Sequence, residues 1–155
     1  AIWDVDIEEA IIIMEKIEGR PLIEVLRNNE HDEELLINVG KAIRELHRNA
    51  VNHGDLSTNN ILIDKNRNPV LIDLGLSSRE YDLEGFGIDL HVLHEILRAS
   101  HPNVKGAMEL VLKGYQELDD ELGKPQPAPG GMPPEARDVV KRLEQIMKRV
   151  RYHGG

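Results

Sequence analysis

Two short apolar runs joined by a polar turn are the feature that most constrains how this chain folds. Residues 61–63 (Ile-Leu-Ile) and 70–72 (Val-Leu-Ile) enclose a polar stretch that Pro69 closes. Short apolar runs bounded by turn residues are typical of strands, so this pattern predicts a β-hairpin. Polar residues crowd the open end of that hairpin, where buried strands would otherwise simply continue.

The register of the hairpin decides which polar residues meet at its open end. We expect Ile61 to pair with Ile72 and, one step outward, Asn60 to pair with Asp73. An amide oxygen and a carboxylate would then lie side by side. These are ligand types that Mg²⁺ prefers in proteins, so the pair predicts a magnesium site.

A candidate base precedes the amide, because Asp55 lies five residues before Asn60, across a loop. It could accept a hydrogen bond from an attacking hydroxyl or water, and phosphoryl transfer needs little more than this, metal ligands and contacts to the phosphates. His53 is expected to hold the loop backbone rather than to react. Gly75, just after Asp73, would let the chain turn sharply away from the site. The alternative is that Asp and Asn are simply common in turns.

The rest of the sequence predicts mainly helices, with two strands near the N-terminus. In the longest helical stretch, apolar residues recur at three- and four-residue spacing, and Asp32 is expected to be its N-cap. The predicted strands cover 1–6 and 9–19 with a turn around 7–9, and the predicted helices cover 21–29, 32–50, 88–100, 103–118 and 135–150.

The C-terminal part of the chain has a composition of its own. Residues 123–134 hold five Pro and three Gly, so we predict a linker or long loop with no packed structure of its own. Residues 137–155 carry six Lys or Arg against two acidic residues, although the whole chain has a net charge of −9. A solvated helix face and a tail that meets an anionic partner such as RNA both fit this charge.

Cysteine content and hydropathy exclude several classes of protein. The chain has no cysteine, which rules out disulfides and thiolate metal sites. No apolar run approaches the ~20 residues that span a bilayer, and no signal peptide is visible. We expect a cytoplasmic protein with no membrane partner.

The polar clusters resemble two motifs of the protein-kinase-like fold. Residues 53–60 (HGDLSTNN) are similar to its catalytic loop, and residues 73–75 (DLG) resemble its metal-binding Asp-Phe-Gly motif. Within that superfamily, residues from about 11 to 102 are most similar to PRPK-type small atypical kinases of the KEOPS (EKC) complex. RIO-type kinases share the Gly-Asp-Leu-Ser stretch, but they usually carry Asp-Phe-Pro in place of residues 73–75.

The resemblance implies an α+β, protein-kinase-like fold, mainly the α-helical C-lobe with the last N-lobe strands and the hinge. Residues 1–18 would be the remnant of the N-lobe strands and hinge, and residues 19–122 the C-lobe. Residues 123–134 are foreign to the family pattern and are interpreted as a Pro/Gly-rich insertion, linker or loop. Residues 135–155 would form a C-terminal helix and basic tail.

The resemblance also implies roles for individual residues. Asp55 would be the catalytic base or water-orienting residue, and Asn60 and Asp73 would hold Mg²⁺. Asp89 would match an aspartate that hydrogen-bonds the catalytic-loop backbone in the family. A plain N-cap for the helix predicted at 88–100 would occupy the same place.

The N-terminal strands are implied to form part of an ATP site. Met14 would be the gatekeeper, while the carbonyl of Glu15 and the N–H of Ile17 would contact the adenine edge. A buried edge strand is the alternative interpretation of the same residues.

Two parts of the family pattern are missing from the sequence: the Gly-rich phosphate loop and a strand lysine with its helix glutamate partner. A start at Ala1 that runs directly into strand-like sequence agrees with a fragment that lacks most of the N-lobe. Losing these groups removes much of the electrostatic preorganisation that phosphoryl transfer requires. We therefore expect this chain alone to bind ATP weakly and to turn it over poorly.

The implied function is a Mg²⁺- and ATP-dependent Ser/Thr kinase or ATPase that supports N6-threonylcarbamoyladenosine formation on tRNA. Its partners would be the ASKHA-fold tRNA threonylcarbamoyltransferase subunit and other KEOPS subunits. Lys148, Arg149 and Arg151 of the basic tail would lie near tRNA. The alternatives are a catalytically idle module that docks a partner, and a RIO-like or small-molecule phosphotransferase.

Overall fold

A computed structural model describes residues 2–6, 11–14, 18–79, 81–128 and 130–153 of the chain. Its first two strands, β1 (Ile2–Asp6) and β2 (Ile11–Met14), form an antiparallel pair. The two predicted N-terminal strands are thus confirmed. The predicted turn around 7–9 and the predicted adenine contacts Glu15 and Ile17 lie outside the described residues.

The remaining strands form two small sheets beside the helices. Strand β5 (Ile61–Asp64) lies between β3 (Gly19–Pro21) and β6 (Pro69–Leu71) in an antiparallel sheet. Strand β4 (Val51–Asn52) pairs with β7 (Ser78–Arg79). This second pairing joins the entry of the polar loop to the segment that follows residues 73–75.

The predicted hairpin is present, but its predicted register is wrong by one residue. Ile61 pairs with Leu71 rather than with Ile72. The turn sets this register: the Asp64 carboxylate accepts hydrogen bonds from the N–H groups of Asn66 and Asn68 at 2.8 and 2.9 Å. Arg67 then adopts a left-handed conformation, with φ of 64°. A type I turn followed by a left-handed residue makes a three-residue connection, which the apolar runs alone do not specify.

Two helices precede the hairpin, as predicted. Helix α1 spans Leu22–Arg27, and the longer α2 spans Glu33–Arg48. Asp32 caps α2, because its carboxylate accepts a hydrogen bond from the N–H of Leu35 at 2.9 Å. The predicted N-cap is therefore confirmed.

Helix α3 (Leu83–Ser100) begins five residues earlier than predicted. Asp82 caps it by accepting a hydrogen bond from the N–H of Glu84 at 3.1 Å. Two glycines in its first turns made this stretch resemble a loop. One of them, Gly87, is a packing site, since a Cβ there would lie 2.8 Å from Cδ1 of Ile146. Asp89 therefore lies inside the helix, and its interpretation as an N-cap is wrong.

Helix α4 (Ala107–Leu122) crosses α2 at very short range. A Cβ at Gly40 would lie 1.8 Å from the carbonyl oxygen of Val111, and a Cβ at Gly114 would lie 1.8 Å from that of Ile37. Each helix thus presents a glycine to the backbone of the other. This crossing forms the centre of the hydrophobic core.

The described residues of the Pro-rich segment 123–134 form a long loop without a helix, which is one of the predicted alternatives. The loop packs against the rest of the protein, because Pro125 and Pro133 are buried. It leads into α5 (Ala136–His153), whose residues Ala136, Val139 and Leu143 belong to the main core. Within the described ranges, no helix has the length and apolar character needed to cross a membrane.

Candidate active site

The loop between β4 and β5 brings Asp55 and Asn60 into direct contact. Nδ2 of Asn60 donates to the backbone carbonyl of Asp55 at 2.9 Å and to its carboxylate Oδ2 at 3.2 Å. Asn60 is buried, whereas Asp55 is exposed. Both hydrogen bonds that the Asn60 side chain makes within the described part of the chain use its nitrogen, so its amide oxygen remains free for another ligand.

His53 holds the backbone of both predicted motifs together. Its Nδ1 accepts a hydrogen bond from the N–H of Asp55 at 3.1 Å. The opposite ring nitrogen, Nε2, therefore carries the proton of the neutral ring and donates to the carbonyl of Ile72 at 2.7 Å. The imidazole is fully buried, so this ring acts as a brace between the loop and the residue before Asp73.

Asp89 holds the same loop from the side of α3. Its Oδ2 accepts from the N–H of His53 at 2.7 Å, and its Oδ1 accepts from the N–H of Gly54 at 3.0 Å. Burial acts to raise the pKa of this carboxyl group, but hydrogen bonds from His47 and from the two backbone N–H groups outweigh burial and hold the pKa below its ordinary value. Asp89 therefore remains a carboxylate inside the protein.

A second buried histidine stands behind Asp89. Nε2 of His47 lies 2.8 Å from Oδ2 of Asp89, and Nδ1 of His47 lies 2.7 Å from the hydroxyl of Tyr115. Burial lowers the pKa of His47, although the neighbouring Asp89 carboxylate opposes this effect. Burial also raises the pKa of the Tyr115 hydroxyl, so both groups are neutral near pH 7.

Asp73 follows the hairpin directly, one residue beyond the position expected for it. The N–H of Ile72 donates to the carbonyl of Asn60 at 2.9 Å, so Ile72 rather than Asp73 is opposite Asn60. Asp73 itself is exposed and left-handed, with φ of 57° and ψ of 62°. This conformation is strained for a residue with a side chain, and such strain is concentrated at functional sites.

The sharp turn that was expected at Gly75 is made by Asp73 instead. Gly75 lies within the 3₁₀ turn Leu74–Leu76, without a positive φ. The glycine that the site requires is Gly54, whose φ is +85°. A Cβ at Gly54 would lie 2.2 Å from the carbonyl oxygen of Leu76, so the catalytic-type loop and the segment after Asp73 touch there.

Four supporting side chains escaped the sequence analysis. Thr58, buried within the loop, has its hydroxyl 3.0 Å from Nε2 of the buried His101 at the end of α3. His47 follows Ile43 by four residues, and Tyr115 lies on the apolar face of α4. For His47 and Tyr115, a polar residue at a core position of an amphipathic helix could have indicated a buried hydrogen-bonded role.

The donor set fits a hard cation. The carboxylate of Asp73 and the amide oxygen of Asn60 are the kinds of group that Mg²⁺ binds, usually with phosphate oxygens and water completing the shell. Among the described residues, no group of three or more His, Cys, Asp or Glu side chains could hold a metal ion. The set thus fits a site that shares its cation with a phosphate rather than a closed all-protein site.

The basic helix is only partly free. Glu84 of α3 accepts a hydrogen bond from Arg142 at 2.9 Å and forms an ion pair with Arg149. The Arg149 and Arg142 guanidinium groups lower the pKa of Glu84. Lys148 and Arg151 are exposed on the same helix.

Comparison with known proteins gives the family. The RIO domain model matches residues 4–97, more than half of the chain. The match holds although Gly75 stands where RIO-type kinases usually carry proline. The α+β, protein-kinase-like fold class that the motifs predicted is confirmed.

Curated relatives are similar along nearly the whole chain. The KEOPS complex subunit Bud32 of Pyrococcus abyssi is 32% identical over 97% of this chain, which spans 64% of that protein. A probable serine/threonine-protein kinase BUD32 homolog of Archaeoglobus fulgidus is 30% identical over 95% of this chain, which spans 65% of it. A probable bifunctional tRNA threonylcarbamoyladenosine biosynthesis protein of Methanosarcina acetivorans is 34% identical over 95% of this chain, which spans 23% of it.

The RIO domain match and the similarity to curated relatives agree on the family. The chain belongs to the RIO-domain family, and the relatives it resembles include Bud32 proteins.

Proposed function

We propose that this chain is the C-lobe and hinge of a small atypical Ser/Thr kinase or ATPase that uses Mg²⁺ and ATP. The observation that carries the proposal is the contact between Asn60 and Asp55. It keeps the Asp55 carboxylate oriented while leaving the amide oxygen of Asn60 for a cation. Braces from His53 and Asp89 fix the same loop before any ligand arrives.

In this proposal each residue has one task. Asp55 orients the attacking hydroxyl or water and accepts its proton, while Asn60 and Asp73 hold the cation. Mg²⁺ would neutralise charge on the transferring phosphoryl group and its leaving oxygen. Exposure of Asp55 and Asp73 leaves room for an incoming acceptor. Asp73 follows the hairpin directly and has a left-handed backbone conformation.

The adenine contacts extend the proposal to the N-terminal strands. We assign the carbonyl of Glu15 and the N–H of Ile17 to the adenine edge, and Met14, at the end of β2, to the gatekeeper position. Residues 1–18 would then be the hinge and N-lobe remnant, and residues 19–122 the C-lobe. The tail 135–155 would pack against the C-lobe rather than move independently, since α5 contributes to the same core.

The printed names of the relatives support a role in tRNA modification. We propose that the protein acts in the cytoplasm within a KEOPS-like complex and supports threonylcarbamoyladenosine formation, with an ASKHA-fold transferase subunit as its partner. Lys148 and Arg151 are the exposed basic residues that would meet tRNA. Arg149 would first have to leave Glu84.

Calorimetric titration of Mg²⁺–ATP into this chain tests the proposal. We expect weak but saturable binding that Asp73→Asn removes, because the cation loses its carboxylate. The matched control is Asp120→Asn, which changes the same chemical group at an exposed position of α4. Equal binding by the Asp73 and Asp120 variants would contradict the assignment of Asp73.

Turnover in the full-length protein tests the assignment of Asp55. We expect Asp55→Asn to lower phosphate release by about a hundredfold or more, since general-base catalysis contributes on that order. The fold should persist, because the side chain is exposed. Undiminished phosphate release would remove Asp55 from the mechanism.

A docking module is the second candidate, and exposed apolar residues favour it. Leu76 is 68% exposed and Ile88 is 46% exposed, and Leu76 contacts the loop at Gly54. Large apolar side chains that are exposed to solvent beside the loop of residues 53–60 are characteristic of an interaction surface. Partner binding that is unchanged by Asp55→Asn but weakened by Leu76→Ser would favour this function over catalysis.

A further inference from the structure

A chain of buried polar groups runs from the candidate active site into the helical core. His47 is in contact with Asp89 on one side and with Tyr115 on the other, at 2.8 and 2.7 Å. The three side chains are at most 3% exposed. Phe86 closes the remaining side of the imidazole, with ring centroids 4.6 Å apart. These hydrogen bonds are therefore shielded from bulk solvent.

The groups at the two ends of this row of hydrogen bonds, Asp89 and Arg44, determine where each of its protons lies. Asp89 is a carboxylate and can only accept, so Nε2 of His47 must carry a proton toward it. In the neutral ring Nδ1 is then an acceptor, and the hydroxyl of Tyr115 must donate to it. Arg44 enforces that direction, because its NH1 group lies 3.4 Å from the same hydroxyl and can only donate. The hydroxyl hydrogen is thus directed at His47.

We propose that Tyr115 is a positioning residue for phosphoryl transfer: its hydroxyl anchors Nδ1 of His47, and the anchored His47 holds Asp89 in the orientation that accepts from the N–H groups of His53 and Gly54. This inference rests on the proposed function. Tyr115 touches neither substrate nor cation. It acts through two other side chains on the loop that carries Asp55.

The alternative states of His47 explain why the hydroxyl matters. A flipped tautomer would point a bare Nε2 lone pair at the Asp89 carboxylate, and the repulsion would push the carboxylate away from His53 and Gly54. A doubly protonated ring would draw Asp89 toward a new positive charge. The hydroxyl of Tyr115 favours the neutral ring with its proton on Nε2, because Arg44 donates to the hydroxyl oxygen and the hydroxyl hydrogen is directed at Nδ1.

The charged and titratable groups around His47 come from four elements. Asp89 faces it from α3, Tyr115 from α4, His53 from the loop and Arg44 from its own helix α2. Arg44 continues the chain outward, because its guanidinium donates to Asp119 at 2.7 Å and to the carbonyl of Pro134 at 2.8 Å. The positive charge of Arg44 further disfavours a protonated His47.

The wild-type tautomer can be measured without any substitution. In ¹⁵N-detected NMR of the full chain, we expect His47 to carry its proton on Nε2 alone between about pH 7 and about pH 8, because the Asp89 carboxylate faces Nε2 and burial lowers the pKa of the ring. A proton on Nδ1 in this range would overturn the proposal.

Removing one hydroxyl tests the catalytic part of the inference. In the full-length protein, Tyr115→Phe should lower ATP turnover about tenfold, the effect of one lost hydrogen bond. It should also introduce a new dependence of turnover on pH near neutrality, since Nδ1 of His47 can then be protonated. A merely structural role would not change the pH profile. The matched control is Tyr81→Phe, a change at a tyrosine that packs against Gly130 and Gly131.

A double-variant cycle separates positioning from stability. His47→Gln keeps a donor toward Asp89 that does not titrate, so adding Tyr115→Phe to it should cost little further turnover. Additive losses would contradict the proposal, as would a Tyr115→Phe variant that matches Tyr81→Phe in rate and pH profile. An inactive wild-type protein would instead contradict the proposed function, while the NMR measurement still decides the tautomer.

Discussion

Asp89 is the residue whose loss we expect to be felt most widely. Asp89→Asn keeps the size of the side chain but replaces one acceptor oxygen with a donor that faces N–H groups. The free energy of unfolding should fall by about 3 kcal/mol, since a buried partner network is broken. Phosphate release should fall with it, because His53 and Gly54 lose their anchor.

Urea unfolding at neutral pH measures the loss in Asp89→Asn, with Asp120→Asn as the variant of equal charge change at an exposed site. We expect the control to stay within about 0.5 kcal/mol of the wild-type protein. A similar small effect for Asp89→Asn would mean that the loop does not depend on this carboxylate.

The proximity of the polar loop residues could be predicted, whereas the buried side chains behind them could not. Asp55 and Asn60 are polar residues between apolar runs, and their spacing already indicated a shared site. Their contact bears out the proximity that the spacing implied. His47 and Tyr115 lie on helices 68 positions apart, and no local pattern connects them. Only the packing of α2 against α3 and α4 shows that they form one chain of hydrogen bonds.

At the scale of elements, the crossing of α2 and α4 depends on two glycines. Gly40→Ala or Gly114→Ala would place a Cβ within 1.8 Å of a carbonyl oxygen on the opposite helix. The helices must then separate, so we expect each variant to lower the free energy of unfolding by about 3 kcal/mol or more. Thermal or urea unfolding followed by circular dichroism measures this.

Gly106→Ala is the comparison for these helix variants. A Cβ there meets no atom within 4 Å, although its φ of +72° makes the change strained. We expect a loss of about 1 kcal/mol from strain alone. If Gly40→Ala lowered the free energy of unfolding no more than Gly106→Ala does, the close approach of α2 and α4 would be contradicted.

Element boundaries were harder to predict than element types. Every predicted helix is present, because apolar periodicity is a long-range signal over many residues. The start of α3 was misplaced because Gly85 and Gly87 are usual loop residues, while Gly87 in fact admits the side chain of Ile146. The hairpin register was missed because two registers satisfy the apolar runs equally, and the Asp64 turn decides between them.

At the scale of the whole molecule, stability should fall as the solution becomes acidic. Burial lowers the pKa of both His47 and His101, so the unfolded chain takes up protons near pH 6.5 before the folded chain does. Their contribution is complete above that pH and is lost as pH falls toward the lower folded values. Asp89 has a depressed pKa, and its contribution is lost only below about pH 3.8.

The midpoints of urea unfolding between about pH 7 and about pH 5 test whether stability falls on acidification. For His47 the free energy of unfolding should change by up to about 1.4 kcal/mol per pH unit. His47→Gln should reduce the slope of the profile in this window to the part that His101 contributes. A stability that rises on acidification would contradict the neutral, buried state of His47.

The attachment of the segment 123–134 to the rest of the protein could not be predicted from its composition. Proline and glycine between residues 123 and 134 are typical of a free linker, yet this segment is held by Arg44 and Arg48 through the carbonyls of Pro134 and Gly123. Every residue has a backbone carbonyl, so the sequence does not show which carbonyls accept these hydrogen bonds. The packing of α5 was predictable from its apolar face, but its attachment was not.

The pairing of Glu84 with Arg142 and Arg149 makes α5 selective about the anions it can receive. A carboxylate tethered beside two guanidinium groups acts as an internal competitor, with an effective concentration on the order of millimolar. A single phosphate must displace the Glu84 carboxylate and gains only one contact by doing so. A polymer with many phosphates gains several contacts for each one it displaces. Glu84 therefore sets how many contacts an anion must make before it can displace the pairs with Arg142 and Arg149.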